Sequence, residues 1–147
     1  MKFVSSFLMV IALAALSACA SRRLADADTD ALAKLMRPVE GKAVIYVFRN
    51  ETYSAPWPVR LTLDGKSMGS TDANTYFRWS VEPGQHIIAT HAENSEGLVL
   101  ETEAGKVYYV WQEISMGYFQ PRSTLIEVDR PTAEVALRNC YLLQNRS

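Results

Sequence analysis

The stretch AVIYVFR, residues 43–49, decides the fold of this chain of 147 residues. Its first six positions are all apolar, and the only polar side chain is that of Arg49 at the end. Valine, isoleucine, tyrosine and phenylalanine favour β-strands, and a strand with one face in water would alternate apolar with polar residues. We therefore predict a central strand that is covered on both faces.

Further β-patterned segments follow, separated by turn signals. The predicted strands are residues 43–49, 59–63, 75–81, 85–91, 98–103, 107–113 and 125–128. Asp64-Gly65 favours a two-residue hairpin, and we expect residues 98–103 to pair with 107–113 across Ala104-Gly105. This spacing is typical of an all-β sandwich or barrel. The predicted fold class is mainly β: a single antiparallel β-sandwich of about seven strands.

The C-terminal segment has a helical pattern instead. Asp129 or Thr132 can cap a helix, and Pro131 is tolerated in its first turn. A loose apolar stripe follows, made of Val135, Ala136, Leu142 and Leu143. We predict a short C-terminal helix that packs on the sandwich.

The N-terminus resembles a bacterial lipoprotein signal. Lys2 precedes an apolar run at residues 7–16, and Leu16-Ser17-Ala18-Cys19 resembles the lipobox, Leu-small-small-Cys. The run is too short to span a bilayer, which takes about 20 apolar residues. The resemblance implies cleavage between Ala18 and Cys19 and acylation of Cys19, and two or more acyl chains hold a protein stably on a membrane. The alternative is an ordinary secretory signal with a cysteine there by chance.

These signals divide the chain into three regions. Residues 1–18 are the predicted signal peptide, residues 19–40 the lipidated N-terminus and tether, and residues 41–147 the sandwich domain. The polar segment 20–37 is the expected tether, with a short helix allowed before Pro38. If flexible, its 18 residues reach about 25 Å. Because Ala20 is not the aspartate that many sorting systems read as an inner-membrane retention signal, we expect the outer membrane, facing the periplasm.

Cysteine usage and charge narrow the function classes. Cys19 and Cys140 are the two cysteines, and an acylated Cys19 cannot form a disulfide. Cys140 is then either a small buried residue, which we favour, or a thiol that pairs between chains. The net charge is −1, and the basic residues are scattered rather than clustered. Nucleic acid is therefore not an expected partner.

Several chemical motifs have simpler structural explanations. Residues 65–69 satisfy the hydrolase pattern G-x-S-x-G around Ser67, but no helix is predicted after this serine, as a nucleophile elbow requires. His86 and His91 are five residues apart on a predicted strand, so they face opposite sides and cannot share a metal. We predict no catalytic residue, cofactor or metal site.

Aromatic residues are the remaining candidates for binding. Phe77, Trp79, Tyr109 and Trp111 occupy alternate strand positions, which indicates core packing. Trp57, between two prolines, and the loop with Tyr118 and Phe119 either cap the end of the sandwich or contact a partner. These three aromatic residues are the candidate contact residues.

Four ordered motifs carry a resemblance to a known family. They are GKAVIYVFR at 41–49, LDGKSMG at 63–69, PGQH at 83–86 and GKVYYV at 105–110. Over residues 41–143 they resemble the bacterial envelope family catalogued as domain of unknown function 2846, and also the β-sandwich repeats called PEGA domains. The resemblance implies a lipid-anchored sandwich, Ig-like or PEGA-like. That family has no established activity or site, so function stays open.

We therefore expect an envelope lipoprotein whose sandwich is a non-enzymatic interaction or accessory module. Its expected partners are the membrane, through acyl chains on Cys19, and an unknown envelope protein. The alternative is a domain that binds a small molecule or glycan through exposed aromatic loops. A hydrolase built on Ser67 is the least favoured interpretation.

Overall fold

The computed structural model describes residues 24–51 and 57–145. Within them, nine strands and two helices form the fold. The strands are β1 (Ala43–Arg49), β2 (Val59–Leu63), β3 (Lys66–Thr71), β4 (Thr75–Val81), β5 (Gly84–His91), β6 (Ser95–Thr102), β7 (Val107–Met116), β8 (Pro121–Val128) and β9 (Tyr141–Leu142). The helices are α1 (Ala27–Ala33), before β1, and α2 (Arg130–Leu137), between β8 and β9.

The strands form two sheets that share a core. One sheet has the order β8-β7-β1-β4-β9, and the other has the order β3-β2-β5-β6. The prediction of a mainly β sandwich with a short C-terminal helix is confirmed. The pairing is not wholly antiparallel, because β1 pairs with β7, and β4 with β9, in parallel.

Strand β1 is buried on both faces, as predicted. Val44, Tyr46 and Phe48 face the helices, where they belong to a helix-side core with Ala33, Met36, Ala133 and Leu137. The alternate residues Ile45 and Val47 face the second sheet, in an inter-sheet core with Leu61, Phe77, Trp79 and Ile88. Each fully buried side chain of this size contributes about 1.5–3 kcal/mol relative to an exposed one. The sequence of β1 therefore requires three layers, with helices, sheet and sheet packed in that order.

The predicted pairing of residues 98–103 with 107–113 is wrong. Strand β6 pairs with β5, and β7 pairs with β1 and β8, so the turn at Ala104-Gly105 crosses from one sheet to the other. The Gly105 N–H donates to the carbonyl of Lys42 at 2.7 Å, which fixes this crossing beside the start of β1. A parallel partner cannot be reached through a hairpin, because parallel strands need a crossover.

Two strands, β3 and β9, were not predicted from the sequence. The β3 sequence KSMGST has no apolar alternation, and its pairing with β2 shifts register between Leu61 and Thr62. The predicted hairpin before it is present, and both Asp64 and Gly65 have positive φ. Strand β9 spans two residues and is too short to leave a pattern.

Residues 24–37 are folded against the sheet, which corrects the predicted tether. Leu24 forms a β-bridge with Leu143, and Asp26 caps α1 by accepting a hydrogen bond from the N–H of Thr29 at 2.9 Å. Ala33 and Met36 are buried in the helix-side core. The short, polar helix resembles a tether in sequence because its apolar contribution to the core is only these two side chains. Residues 19–23 lie outside the described part of the chain.

The C-terminal helix is capped by Asp129, one of the two predicted caps, and has Pro131 in its first turn. Its buried residues are Ala133 and Leu137, whereas Val135 is 61 % exposed. The predicted apolar stripe was therefore wrong at Val135. Leu142 and Leu143 lie beyond the helix, in β9 and just after it, and face the core there.

Cys140 is fully buried in the helix-side core, which supports the favoured prediction over pairing between chains. Its thiol lies 3.4 Å from the carbonyl of Ala136. Burial raises its pKa to about 12, so the reactive thiolate is scarce at neutral pH.

Asp30 fastens α1 to the sheet. Its Oδ1 accepts hydrogen bonds from the Tyr76 hydroxyl at 2.9 Å and the Leu142 N–H at 2.8 Å. Its Oδ2 lies 2.7 Å from the Lys34 ammonium. Burial, reinforced by this carboxylate, raises the pKa of Tyr76 above its ordinary value. Tyr76 therefore stays a neutral hydroxyl that donates to Asp30.

We expect Asp30→Ala to lower the free energy of unfolding by about 1–3 kcal/mol, because the Leu142 N–H and the Tyr76 hydroxyl lose their acceptor. Asp28→Ala is the matched control, since Asp28 is exposed on the same helix. Its effect should stay within about 0.5 kcal/mol. Urea unfolding measures both, and equal effects would contradict the role given to Asp30.

Candidate functional site

Three segments meet at one end of the sandwich, which we call the aromatic end. They are Trp57, the β5–β6 turn at residues 92–94 and the β7–β8 loop at residues 117–120. The turn belongs to one sheet and the loop to the other, so contacts between them join the two sheets. Loops at the ends of a sandwich are where such domains commonly bind partners.

Glu93 holds the β7–β8 loop in place. Its carboxylate accepts backbone hydrogen bonds from Tyr118 at 3.2 Å, Phe119 at 2.8 Å and Gln120 at 3.1 Å. These bonds, the one from Phe119 foremost, hold the pKa of Glu93 below its ordinary value. The carboxylate is therefore ionised at neutral pH, and charge-assisted bonds of this kind are stronger than neutral ones.

Gly117 lets the loop approach Glu93 this closely. Its N–H donates to the Gln120 carbonyl at 3.1 Å, which closes the four-residue loop. A Cβ atom at position 117 would overlap that carbonyl oxygen and the Glu93 carboxylate. Glycine is needed at this position because a larger residue would collide with atoms that cannot move aside: a backbone carbonyl and a carboxylate held by hydrogen bonds.

Asn94 adds a second brace between the sheets. Its side-chain amide donates to the Ser123 carbonyl at 2.9 Å and accepts from the Ser123 N–H at 2.8 Å. The Ser123 hydroxyl lies 2.8 Å from that of Thr90 and 3.2 Å from the Gln112 amide nitrogen. Gln112 in turn accepts from Thr71 at 2.5 Å. The core beneath the aromatic end is thus a connected polar network, which favours one arrangement of its strands.

Arg49, the last residue of β1, supports Trp57. Its side chain is fully buried, and its Nη1 donates to the carbonyls of Trp57 at 3.0 Å and Thr71 at 3.3 Å. Its Nε pairs with the carboxylate of Glu51. A buried guanidinium is tolerated only when it is paired, and here its hydrogen bonds fix the backbone of Trp57 against the sandwich.

The three predicted contact residues are brought to this end, with unequal exposure. Tyr118 and Phe119 are 95 % and 88 % exposed, so they do not cap the core, while Trp57 is 44 % exposed. Trp57 and Phe119 line one cavity of about 320 Å³, together with His91 and Gln120. Tyr118 lies outside that cavity. The arrangement can offer a flat aromatic contact at the loop tip and a small concave site beside it.

The other candidate residues are placed elsewhere. The aromatic residues predicted for the core are buried at Phe77, Trp79 and Tyr109 and half-buried at Trp111. Ala18 and Cys19 lie outside the described residues, so their cleavage and acylation stay predictions. In the part of the chain that the structure describes, no helix is long and apolar enough to cross a membrane.

Ser67 lies on β3, directly after a hairpin, and is exposed. Its backbone is a strand paired with β2, which is not the strand-to-helix turn of a nucleophile elbow. His86 lies on β5 with both ring nitrogens bonded, one 2.7 Å from Asp64 and the other 2.7 Å from the Glu82 carbonyl. Burial opposes its charged form, but these two bonds raise the pKa of His86 above its ordinary value.

His91 lies at the other end of β5, with its Nε2 3.1 Å from the Thr62 hydroxyl. His86 and His91 stand on opposite faces of the strand, as their spacing predicted. Among residues 24–51 and 57–145, no three histidine, cysteine, aspartate or glutamate side chains cluster as a metal site would require.

Glu93, which organises the aromatic end, is not among the predicted site residues. The Glu93-Asn94-Ser95 turn gives a local signal for a bend but none for its partners, which lie about 25 residues further along the chain. An acidic residue in an exposed turn is ordinarily solvated, so its type alone does not identify a loop anchor.

Fold and site together define a two-sheet β-sandwich, covered by helices on one side, that displays aromatic residues on a braced loop. Residues 39–124 match the family described as protein of unknown function DUF2846, and the chain belongs to that family. It is also 29 % identical over 124 residues to an uncharacterised protein of Haemophilus influenzae, covering 83 % of this chain and 74 % of the relative. No solved structure matches it.

We expect Glu93→Gln to raise the amide exchange of Tyr118, Phe119 and Gln120 several-fold at neutral pH, because the neutral amide is a weaker acceptor. Since the pKa of Glu93 is depressed in the fold, its stabilising effect is present above its ordinary value of about 4.5 and is lost as the pH falls through the depressed pKa. Protection factors of these three amides, measured by NMR as a function of pH, test both expectations. Glu113→Gln, at an exposed position of β7, is the control, and equal exchange in both variants would contradict the anchor.

Proposed function

We propose that this protein is a lipid-anchored protein of the bacterial envelope whose sandwich is a non-enzymatic interaction module. The aromatic end is its contact surface for an envelope protein. One observation carries the proposal: Tyr118 and Phe119 are almost fully exposed on a loop that Glu93 holds through three hydrogen bonds.

Aromatic side chains on an ordered loop suit protein recognition. Tyrosine supplies a large contact area with a polar group, and aromatic residues are frequent among the residues that dominate binding energy. A loop that is ordered before binding loses less conformational entropy when a partner docks. The three hydrogen bonds to Glu93 hold the loop that presents the two exposed rings, an arrangement suited to contact with another surface.

The neighbourhood of Ser67 supports a non-enzymatic role. The serine lies at an exposed position of its strand, and the next helix after it in the described residues, α2, begins only at Arg130. His86 cannot act as its base while Asp64 and the Glu82 carbonyl occupy both ring nitrogens. General-base chemistry needs a free ring nitrogen within reach of the nucleophile.

The lipobox supports the anchor, and the position of Leu24 supports its orientation. Leu24 pairs with Leu143 beyond β9, at one edge of the five-stranded sheet. The β7–β8 loop lies at the opposite edge. At about 4.8 Å between strands, the two are about 20 Å apart across the sheet. The chain would therefore leave the domain far from the aromatic loop.

A second function, binding of a small molecule or glycan, rests on the cavity between Trp57 and Phe119. Its volume of about 320 Å³ lies at the lower end of the range for ligand sites, and its lining includes the polar side chains of His91 and Gln120. A ligand there would contact the Trp57 indole. It would leave Tyr118, outside the cavity, free.

Site-specific photocrosslinking in living cells tests the proposed function. A benzophenone amino acid in place of Tyr118 should give one discrete adduct with an envelope protein, and Phe119→Ser should weaken that adduct at least about tenfold, as loss of a dominant contact does. The same probe in place of Val99, a half-exposed residue on β6, is the matched control.

A discrete adduct at position 118 that depends on Phe119, and whose partner gives the reciprocal adduct, supports the proposal. Identical diffuse adducts at positions 118 and 99, or an adduct indifferent to Phe119→Ser, would refute it. If Trp57 emission instead changes on addition of envelope glycans while position 118 gives no adduct, the second function holds.

A further inference from the structure

The connection between the predicted anchor and the folded domain is very short. Cys19 and Leu24, the first described residue, are five residues apart. Whatever conformation these residues adopt, a fully extended chain spans at most about 3.6 Å per residue, so the two Cα atoms lie within about 18 Å. A tether that continued to Arg37 would have held the domain clear of the bilayer, but this connection keeps the surface around Leu24 close to it.

That surface carries two exposed leucines, next to a cavity whose lining is partly apolar and partly polar. Leu24 and Leu32 are 49 % and 66 % exposed, although large apolar side chains are usually buried. Leu32 lines a cavity of about 500 Å³, and Leu142 and Leu143 also line it. This cavity is distinct from the one at the aromatic end.

Cationic groups flank the same cavity. Arg37 is exposed at its rim, and Arg78 is half-buried beside it, with its Nε bonded to the Tyr46 hydroxyl at 3.0 Å. Arg22 and Arg23 directly precede Leu24 in the sequence.

The acidic groups on α1 are mostly engaged. Asp26 accepts from the N–H of Thr29, and Asp30 pairs with Lys34. Asp28 is exposed and opposes the arginines in part. The charge around Leu24 is therefore positive on balance, because Arg37, Arg78 and the sequence neighbours Arg22 and Arg23 outnumber the exposed carboxylates of Asp26 and Asp28.

We propose that this surface, formed by Leu24 together with Leu32 and Arg37 of the cavity lining, lies against the bilayer that holds the acyl chains of Cys19. The leucines would enter the boundary between headgroups and acyl chains, and Arg37 would contact anionic lipid phosphates. This inference rests on the acylation of Cys19 in the proposed function. The short connection supplies the high local concentration that so small a patch needs for contact. The aromatic end is then free to face the periplasm.

A fluorescence experiment on the full chain tests this contact. The lipidated protein is labelled with an environment-sensitive dye at Leu32→Cys, or at Val99→Cys as the control, and reconstituted into phosphatidylethanolamine and phosphatidylglycerol vesicles that carry a quencher in the bilayer. Cys140 stays unlabelled because it is buried. The dye at position 32 should be quenched at least twofold more than the dye at position 99.

Charge reversal separates specific contact from mere nearness. Arg37→Glu should reduce quenching at position 32, whereas Arg122→Glu, an exposed arginine on β8, should leave it unchanged. Equal quenching at positions 32 and 99 in protein that floats with the vesicles would overturn the contact but not the anchor. Protein that does not float, with no acyl mass on Cys19, would overturn the anchor and this contact together.

Discussion

The burial of β1 on both faces is the constraint on which the rest of the structure depends. In a sheet with water on one side, half of six consecutive apolar side chains would be exposed to solvent. Here a second sheet covers Ile45 and Val47. Helices cover Val44, Tyr46 and Phe48 on the opposite face. The Tyr46 hydroxyl donates to the Ala33 carbonyl at 2.6 Å, which adds a polar contact inside the helix-side core. The layers are thus joined through one strand.

The local residue pattern was sufficient to predict a strand where its apolar residues match the faces that the strand buries. The bounds of β1, β2 and β4 match the predicted residues 43–49, 59–63 and 75–81, because alternation or continuous apolarity marks them. The parallel pairing of β1 with β7 could not be predicted in the same way, because the residue pattern of a strand does not determine which strand it pairs with. Helix α1 was expected as tether because two buried side chains and the Asp30 contacts are invisible in a polar sequence. The candidate aromatic residues were found by type, but Glu93, which positions them, was not.

Two surfaces at opposite edges of the five-stranded sheet have different chemistry. The aromatic end is braced by Glu93, Asn94 and Arg49, whose side chains hydrogen-bond to the backbone of the segments that carry or adjoin its exposed rings. The surface around Leu24 combines apolar side chains with arginines and lies within five residues of Cys19. The proposed protein-binding end and the proposed membrane-facing edge lie on one sandwich, as an anchored interaction module would require. The surface around Leu24 depends on α1 being part of the fold, because the folding of α1 leaves only a short connection to Cys19.

The most direct measurement compares the thermal unfolding of two soluble forms, one beginning at Ser21 and one beginning at Pro38. If α1 completes the cover of β1, removal of Ala33, Met36 and the Asp30 contacts should lower the free energy of unfolding by at least about 2 kcal/mol. The midpoint of the shorter form should then fall by about 10 °C or more, or its cooperative transition should disappear. Equal midpoints would show that residues 21–37 are a tether after all, and would contradict both the three-layer account and the short connection to the membrane.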